Sequence, residues 1–204
     1  MTDVRGRVAA GEIVAACRDD LAPLARAMLA AFAQRDRAGP ALHDGSRVQF
    51  GWSVLTLRRD NDALRVCEPD FGGDPFADFS ARVDVSLAVI REQAAVLRRT
   101  GATGMDARWD AHVIIVPATA LAAPGVFLRR EAPSGPEDSG WLIGDVDHPP
   151  AQAEVEAADA VPVYRLLALR PFLLRLLALP VGWFIRVSGE RIEEVIDVDG
   201  KTQW

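Results

Sequence analysis

Cys17 and Cys67 are the only cysteines among 204 residues. A pair so sparse and distant supplies neither a disulfide framework nor a zinc-ligand set, and both read as reduced thiols of a cytosolic protein. The three histidines, His43, His112 and His148, are scattered, with no His-x-x-x-His, HExxH or CxxC spacing, so no metal site is expected. Asp145, Asp147 and His148 lie close along the chain, but alternation along a strand would turn His148 away from both acids. Long apolar runs are also missing. The most apolar stretch, RLLALRPFLLRLLALPVGWFI, is broken by Arg170, Pro171, Arg175 and Pro180, short of the ~20 clean residues of a spanning helix. It is expected in a core and not in a membrane. The opening residues MTDVRGRVAAGEIV alternate charged and small side chains, unlike the apolar region of a secretory signal.

Clustered cations are absent where acids are dense. The net charge is −6, and residues 1–130 hold 17 basic and 16 acidic groups against 6 and 13 in the remainder. Between Glu131 and Tyr164 there are eight acids and no Lys or Arg. Phosphate contacts need grouped cations, so nucleic acid is disfavoured as a partner. A solvated acidic surface, or one that meets an electropositive protein, fits this pattern.

Catalytic motifs are lacking as well. FGGDP and GATG have neither the strand–loop–helix context nor the Lys of a phosphate loop. Ser139, in EDSGW, is not in a Gly-x-Ser-x-Gly elbow and has no base assigned to it. Cys67 sits among apolar neighbours, where an inert buried thiol is expected. Any two of 29 acids could converge, which leaves a paired-carboxylate mechanism open and unspecified. No cofactor is called for.

What is present is the pattern of an α+β domain. Ile13, Cys17, Leu21, Leu24, Met28 and Phe32 are spaced as one helical stripe, kinked or restarted at Pro23 and ended by Gly39-Pro40. RVQFGWSVLTLRRDNDALRVCEPD predicts two strands around an Asp60-Asn61-Asp62 turn, followed by a loop at EPDFGGDP. Val83, Leu87, Ile90, Ala94 and Leu97 trace a second helix, with Asp78 or Ser80 as N-cap, Arg98 and Arg99 in its last turn and Gly101 as its stop. HVIIVPA, GVFLRRE and SGWLIGDV predict strands, and residues 163–178 two short helices broken at Pro171. GWFIRVSGERIEEVIDV predicts a closing hairpin over Ser188-Gly189. The sheet should be mostly antiparallel, in an N-terminal lobe 1–104 and a C-terminal lobe 105–204, or in one continuous domain. A Gly-Trp pair recurs at positions 51, 140 and 182, each time opening a strand-like run.

The stretch GPEDSGWLIGD, residues 135–145, is read as a turn. Asp138 can accept backbone hydrogen bonds, Gly140 can take a positive φ, and Trp141 then starts the strand with its ring inward.

GVFLRREAPSGPEDSGWLIGD, followed by YRLLALRPFLLRLLALPVGWFIRV, resembles the immunity protein 33 family of bacterial polymorphic toxin systems. The residues carrying the resemblance are Arg130, Glu131 and Pro133; Glu137, Asp138, Ser139, Gly140 and Trp141; Gly144 and Asp145; and Pro180, Val181 and Gly182. It covers roughly residues 112–187. Where the family often has two consecutive acids after the later glycine, Asp145 is here followed by Val146. The resemblance implies a cytoplasmic, non-enzymatic protein that binds and neutralises a cognate toxin acting in the cytosol. It implies no catalytic residue, metal or cofactor. Ser139, Gly140, Trp141, Gly144, Pro180 and Gly182 are then a structural signature. Glu137, Asp138, Asp145, Asp147, Glu154 and Glu156 are candidate contacts to a toxin with an electropositive surface. The alternatives are a scaffold or regulatory interaction domain without a toxin, and a small hydrolase using Asp138 or Glu137 with His112 or His148.

Overall fold

The computed structural model of the chain describes every residue except Asp159. It is α+β, with two mixed six-stranded sheets, in two compact units, Met1–Arg91 and Glu92–Trp204.

In the first unit, β1 (Thr2–Val8) and β2 (Gly11–Cys17) form a hairpin. Helix α1 (Ala22–Ala38) follows, and then come β3 (Arg47–Phe50), β4 (Ser53–Asp60), β5 (Ala63–Pro69) and the short β6 (Phe79–Ser80). The strand order is β1-β2-β5-β4-β3, with β6 on β5, and only β2–β5 is parallel within the main path. α1 lies on β1 and β2 and buries Ala25, Met28, Leu29 and Phe32 against Ile13, Leu55, Leu57 and Leu64.

Two expectations are corrected here. Residues 11–17 form a strand, not the first turns of a helix. Ile13 and Cys17 share a face at a spacing of four in either geometry, and the whole run Ile13–Cys17 is buried, which erases the alternation that marks a half-exposed strand. Pro23 then opens the helix, at its first turn, where the missing amide costs nothing. The segment 47–60 is two strands, not one, because the chain reverses at Gly51-Trp52.

Helix α2 (Asp84–Thr100) begins after Asp78 and Ser80, so neither is its N-cap. Ser80 lies in β6, and its hydroxyl accepts the Arg82 amide. The first amides of the helix, which no turn precedes to pair with them, are taken by a remote side chain. The Glu68 carboxylate accepts Val85 N–H at 3.2 Å and Ser86 N–H at 2.6 Å, which also places a negative charge at the positive end of the helix dipole. Glu68 is buried, and burial outweighs those hydrogen bonds enough to push its carboxyl up to about 7. Arg98 and Arg99 do stand in the last turn, and the helix ends before Gly101.

The second unit is built on the sheet β10-β7-β9-β8-β11-β12. Its strands are β7 (His112–Val116), β8 (Gly125–Arg130), β9 (Asp138–Asp145), β10 (Ala160–Pro162), β11 (Phe184–Ser188) and β12 (Arg191–Ile196). Only β7–β9 is parallel. Short helices α3 (Gln152–Glu156) and α4 (Leu166–Leu169) lie between β9 and β11. As anticipated, Pro171 separates α4 from a 3-10 turn at Pro171–Leu176. Leu166, Leu173, Leu174, Leu176, Leu177 and Leu179 are all buried, so the most apolar stretch of the sequence is core. Among the described residues no helix is long and apolar enough to cross a membrane.

Alternation gives this sheet two unlike faces. Val126, Leu128, Arg130, Trp141, Ile143, Ile185, Val187 and Val195 point to the buried side. Phe127, Arg129, Phe184, Arg186 and Glu194 point to the other and stay partly or fully exposed.

Candidate functional site

The turn at Asp138–Trp141 is held by side chains of its own signature. Asp138 Oδ1 accepts Gly140 N–H at 2.7 Å, while Oδ2 accepts both the amide and the hydroxyl of Ser134 at 2.8 Å. These bonds, with the Arg130 charge, hold its carboxyl below the usual range despite partial burial. Gly140 has φ +76°, and a Cβ there would lie 2.2 Å from the Glu131 carbonyl oxygen; no other residue fits. All three Gly-Trp pairs share this device: Gly51, Gly140 and Gly182 have positive φ, and Trp52, Trp141 and Trp183 are buried.

Ser139 is buried at 2 % exposure. Its hydroxyl donates to the His112 carbonyl at 2.6 Å and accepts Trp141 N–H at 3.2 Å, tying β9 to β7 where the register slips. It serves the backbone, and no imidazole nitrogen reaches it.

Beneath the turn lies Arg130, 1 % exposed. Its guanidinium donates to the carbonyls of Ser139 (3.1 Å), Met105 (2.6 Å), Leu177 (3.3 Å), Leu179 (2.7 Å) and Asp106 (3.4 Å), and lies 5.4 Å from the Trp141 ring centre. A buried charge is tolerated only when its hydrogen-bonding capacity is met, and five carbonyls meet it here. Burial lowers its pKa to about 10 against the pull of Asp106 and Asp138, so it stays protonated at neutral pH. Arg130 thus joins the loop at 105–106, β9 and the segment 177–179. The Arg130 carbonyl accepts Gly182 N–H and its amide donates to Trp183 O, while Pro180 follows directly on Leu179. Ser139, Gly140, Trp141, Pro180 and Gly182 thus gather around Arg130, whereas Gly144 lies on the opposite face of the sheet, under the Phe127 ring.

The candidate contact acids divide by what their carboxylates do. Asp138 is consumed by the turn. Asp145 accepts the Asp147 amide at 2.9 Å and lies 3.0 Å from His148 Nδ1, which lowers the Asp145 carboxyl and raises the His148 imidazole. The expectation that His148 faces away from Asp145 is overturned, because β9 ends at Asp145 and the chain then turns. Glu154 reaches back to the Ala151 amide at 2.7 Å and holds the start of α3. Glu156 accepts only Gln152 Nε2 at 3.1 Å. Glu137 and Asp147 are exposed, and neither carboxylate makes a hydrogen bond among the described residues.

Two grooves border these acids, and a third lies nearby. One of about 440 Å³ is lined by His112, Ser134, Glu137 and Asp138. It brings a histidine and two acids together, as a hydrolase would require, but the His112 ring lies 3.1 Å from the Glu137 backbone carbonyl and hydrogen-bonds no carboxylate. The second, about 830 Å³, is largely apolar and lies between Ile115–Ala122 and Ala157-Ala158. The third, about 630 Å³, lies on the open sheet face around Phe127, Leu142 and Phe184. No group of His, Cys, Asp or Glu able to hold a metal occurs among the described residues.

What the residues define is an α+β unit ordered by an internal arginine, with one sheet face left open and acids along its loops. Residues 92–198 match the model of the Imm33-like domain, more than half of the chain, and the chain belongs to the Imm33-like family. The match begins where the second compact unit begins and extends beyond the stretch that carried the sequence resemblance. No curated protein and no solved structure matches the chain.

Proposed function

We propose that the protein is an immunity-type inhibitor that binds a cognate bacterial toxin and neutralises it in the cytosol of the cell that makes it. The observation that carries this reading is the Imm33-like match over residues 92–198. Its physical support is a surface suited to binding: exposed carboxylates without internal partners beside an open sheet face. A binding role needs no nucleophile–base pair, and the Ser134 hydroxyl that donates to the Asp138 carboxylate serves the turn.

In this reading the toxin is electropositive, and Glu137, Asp138, Asp145, Asp147, Glu154 and Glu156 lie at or near its contact. Glu137, Asp147 and Glu156 act as steering charges, while Asp138, Asp145 and Glu154 shape the loops that present them. A cytosolic inhibitor meets only a toxin that acts there, so a nuclease, deaminase or nucleotide-consuming enzyme suits it better than a cell-wall hydrolase.

The test is co-expression of the chain with the product of the neighbouring gene, scoring viability and co-purification. Rescue with a stable complex is expected. Undiminished toxicity without a complex sinks the reading. Steering by the acids further predicts an association rate that falls about tenfold or more from low to high salt, and a flat rate removes that part.

A further inference from the structure

We propose that the toxin's main contact is the open face of the second unit's sheet, centred on Phe127 and Phe184, with the acids as its rim; this rests on the immunity reading above. Strand register sets out that face as two cross-strand rows. One runs Leu142, Arg129, Phe184, Ile196 and the other Gly144, Phe127, Arg186, Glu194. The Phe127 and Phe184 rings stack 5.8 Å apart at 17°. Gly144 makes room for this, since a Cβ there would lie 2.3 Å from the Phe127 ring. Beside the stack, the hollow of about 630 Å³ has Leu142 as its floor and Pro149, Pro150 and Val155 as its wall.

The charges on the face are Arg129, Arg186 and Glu194, the last directly across the strand pair from Arg186. Arg129 pairs with Glu131 at 2.8 Å. Arg186 is exposed and makes no side-chain hydrogen bond or ion pair among the described residues. Aromatic and arginine side chains around a desolvatable hollow make the kind of centre that carries binding energy in protein interfaces. The four strands β9-β8-β11-β12 offer about 350 Å² at the usual strand spacing, under half of the ~800 Å² each partner gives to a stable interface. The surrounding loops must contribute the rest, and they carry Glu131, Glu137, Asp147, Glu154 and Glu156.

This layout selects the occupant. It calls for a protein with an apolar anchor for the hollow, a carboxylate for Arg186 and a basic periphery for the acidic rim. A second copy docked by two-fold symmetry would set acidic rim against acidic rim. Nucleic acid and anionic lipid surfaces meet the same repulsion.

The experiment uses the full chain and an inactivated form of the toxin encoded by the neighbouring gene, with affinity measured by titration. Arg186→Glu should weaken binding about 100-fold with little change in melting temperature, because the side chain is exposed and exposed charge changes cost a fold little. Phe184→Ala should weaken it comparably, and Glu190→Arg, in the β11–β12 turn, should stay within about twofold. Wild-type binding undiminished by Arg186→Glu and Phe184→Ala overturns the sheet-face assignment while leaving the toxin reading intact. Failure of the wild type to bind overturns both. A wild-type dimer dissociated by Arg186→Glu assigns the face to a second copy and overturns the proposed occupant.

Discussion

Arg130 and Trp141 converge on one acceptor: Arg130 Nη1 and Trp141 Nε1 both donate to the Leu177 carbonyl, at 3.3 and 3.0 Å. Arg130→Met removes the charge but leaves its five carbonyl acceptors without this donor, and Arg130→Lys supplies three donors that cannot span the same set. Breaking a buried charged network of this kind costs about 3–5 kcal/mol. Both variants should lower the melting temperature by about 10 °C or more, measured by calorimetry, and lysine should rescue little.

Gly140→Ala should destabilise by about 2 kcal/mol or more, since it adds both a left-handed backbone penalty and a clash with the Glu131 carbonyl. Ser139→Ala should cost about 1–3 kcal/mol, the usual loss when a buried hydrogen bond goes unmade. If Ser139 were a nucleophile, its variant would lose activity at unchanged stability. Urea denaturation beside toxin protection separates the two.

Gly144→Ala should act differently from Gly140→Ala. Its clash is with the end of a movable ring, so Phe127 can swing outward and relieve it. A stability loss under about 1.5 kcal/mol is expected, together with a larger loss in partner affinity because the Phe127–Phe184 stack is broken. Equal losses in both measurements would argue that the stack serves only the fold.

Glu68 makes stability depend on pH. Its folded carboxyl titrates at about 7, against 4.5 for the free group, so the folded state holds the proton more tightly. The associated stability is complete below about pH 4.5 and is lost as pH rises through 7, by about 3 kcal/mol in all. Denaturation of the wild type and of Glu68→Gln at pH 5 and pH 8 should show the wild type losing about 2–3 kcal/mol more than the variant. Parallel pH profiles would refute it.

Sequence reasoning succeeded where local chemistry decides the structure. The Asp138–Gly140 turn, the inward Trp141, the break at Pro171 and the β11–β12 hairpin each follow from residues a few positions apart. It failed where both faces of an element are buried, as in Ile13–Cys17, and where a partner comes from far along the chain. No local cue marks Glu68 as the cap of α2, 17 and 18 residues before the amides it accepts. Arg130 belongs to the signature, yet its central place is not legible in the sequence, because its acceptors are backbone carbonyls and any residue type can supply them. The open face was in principle readable: Phe127, Arg129, Phe184 and Arg186 alternate with buried aliphatics, a pattern overshadowed by the denser acids nearby.

The Arg130 network also sets a lower limit on the protein's length. Its acceptors run from Met105 to Leu179, and its own backbone closes on Gly182 and Trp183. A fragment trimmed inside 105–183 leaves a cation in the core with too few acceptors, however many strands it retains. Insertions within that span are tolerable only in segments that supply no carbonyl, such as the run between Val146 and Ala158. Domain trimming, circular permutation and gene fusion of this chain therefore have their workable boundaries outside residues 105–183 or within such segments.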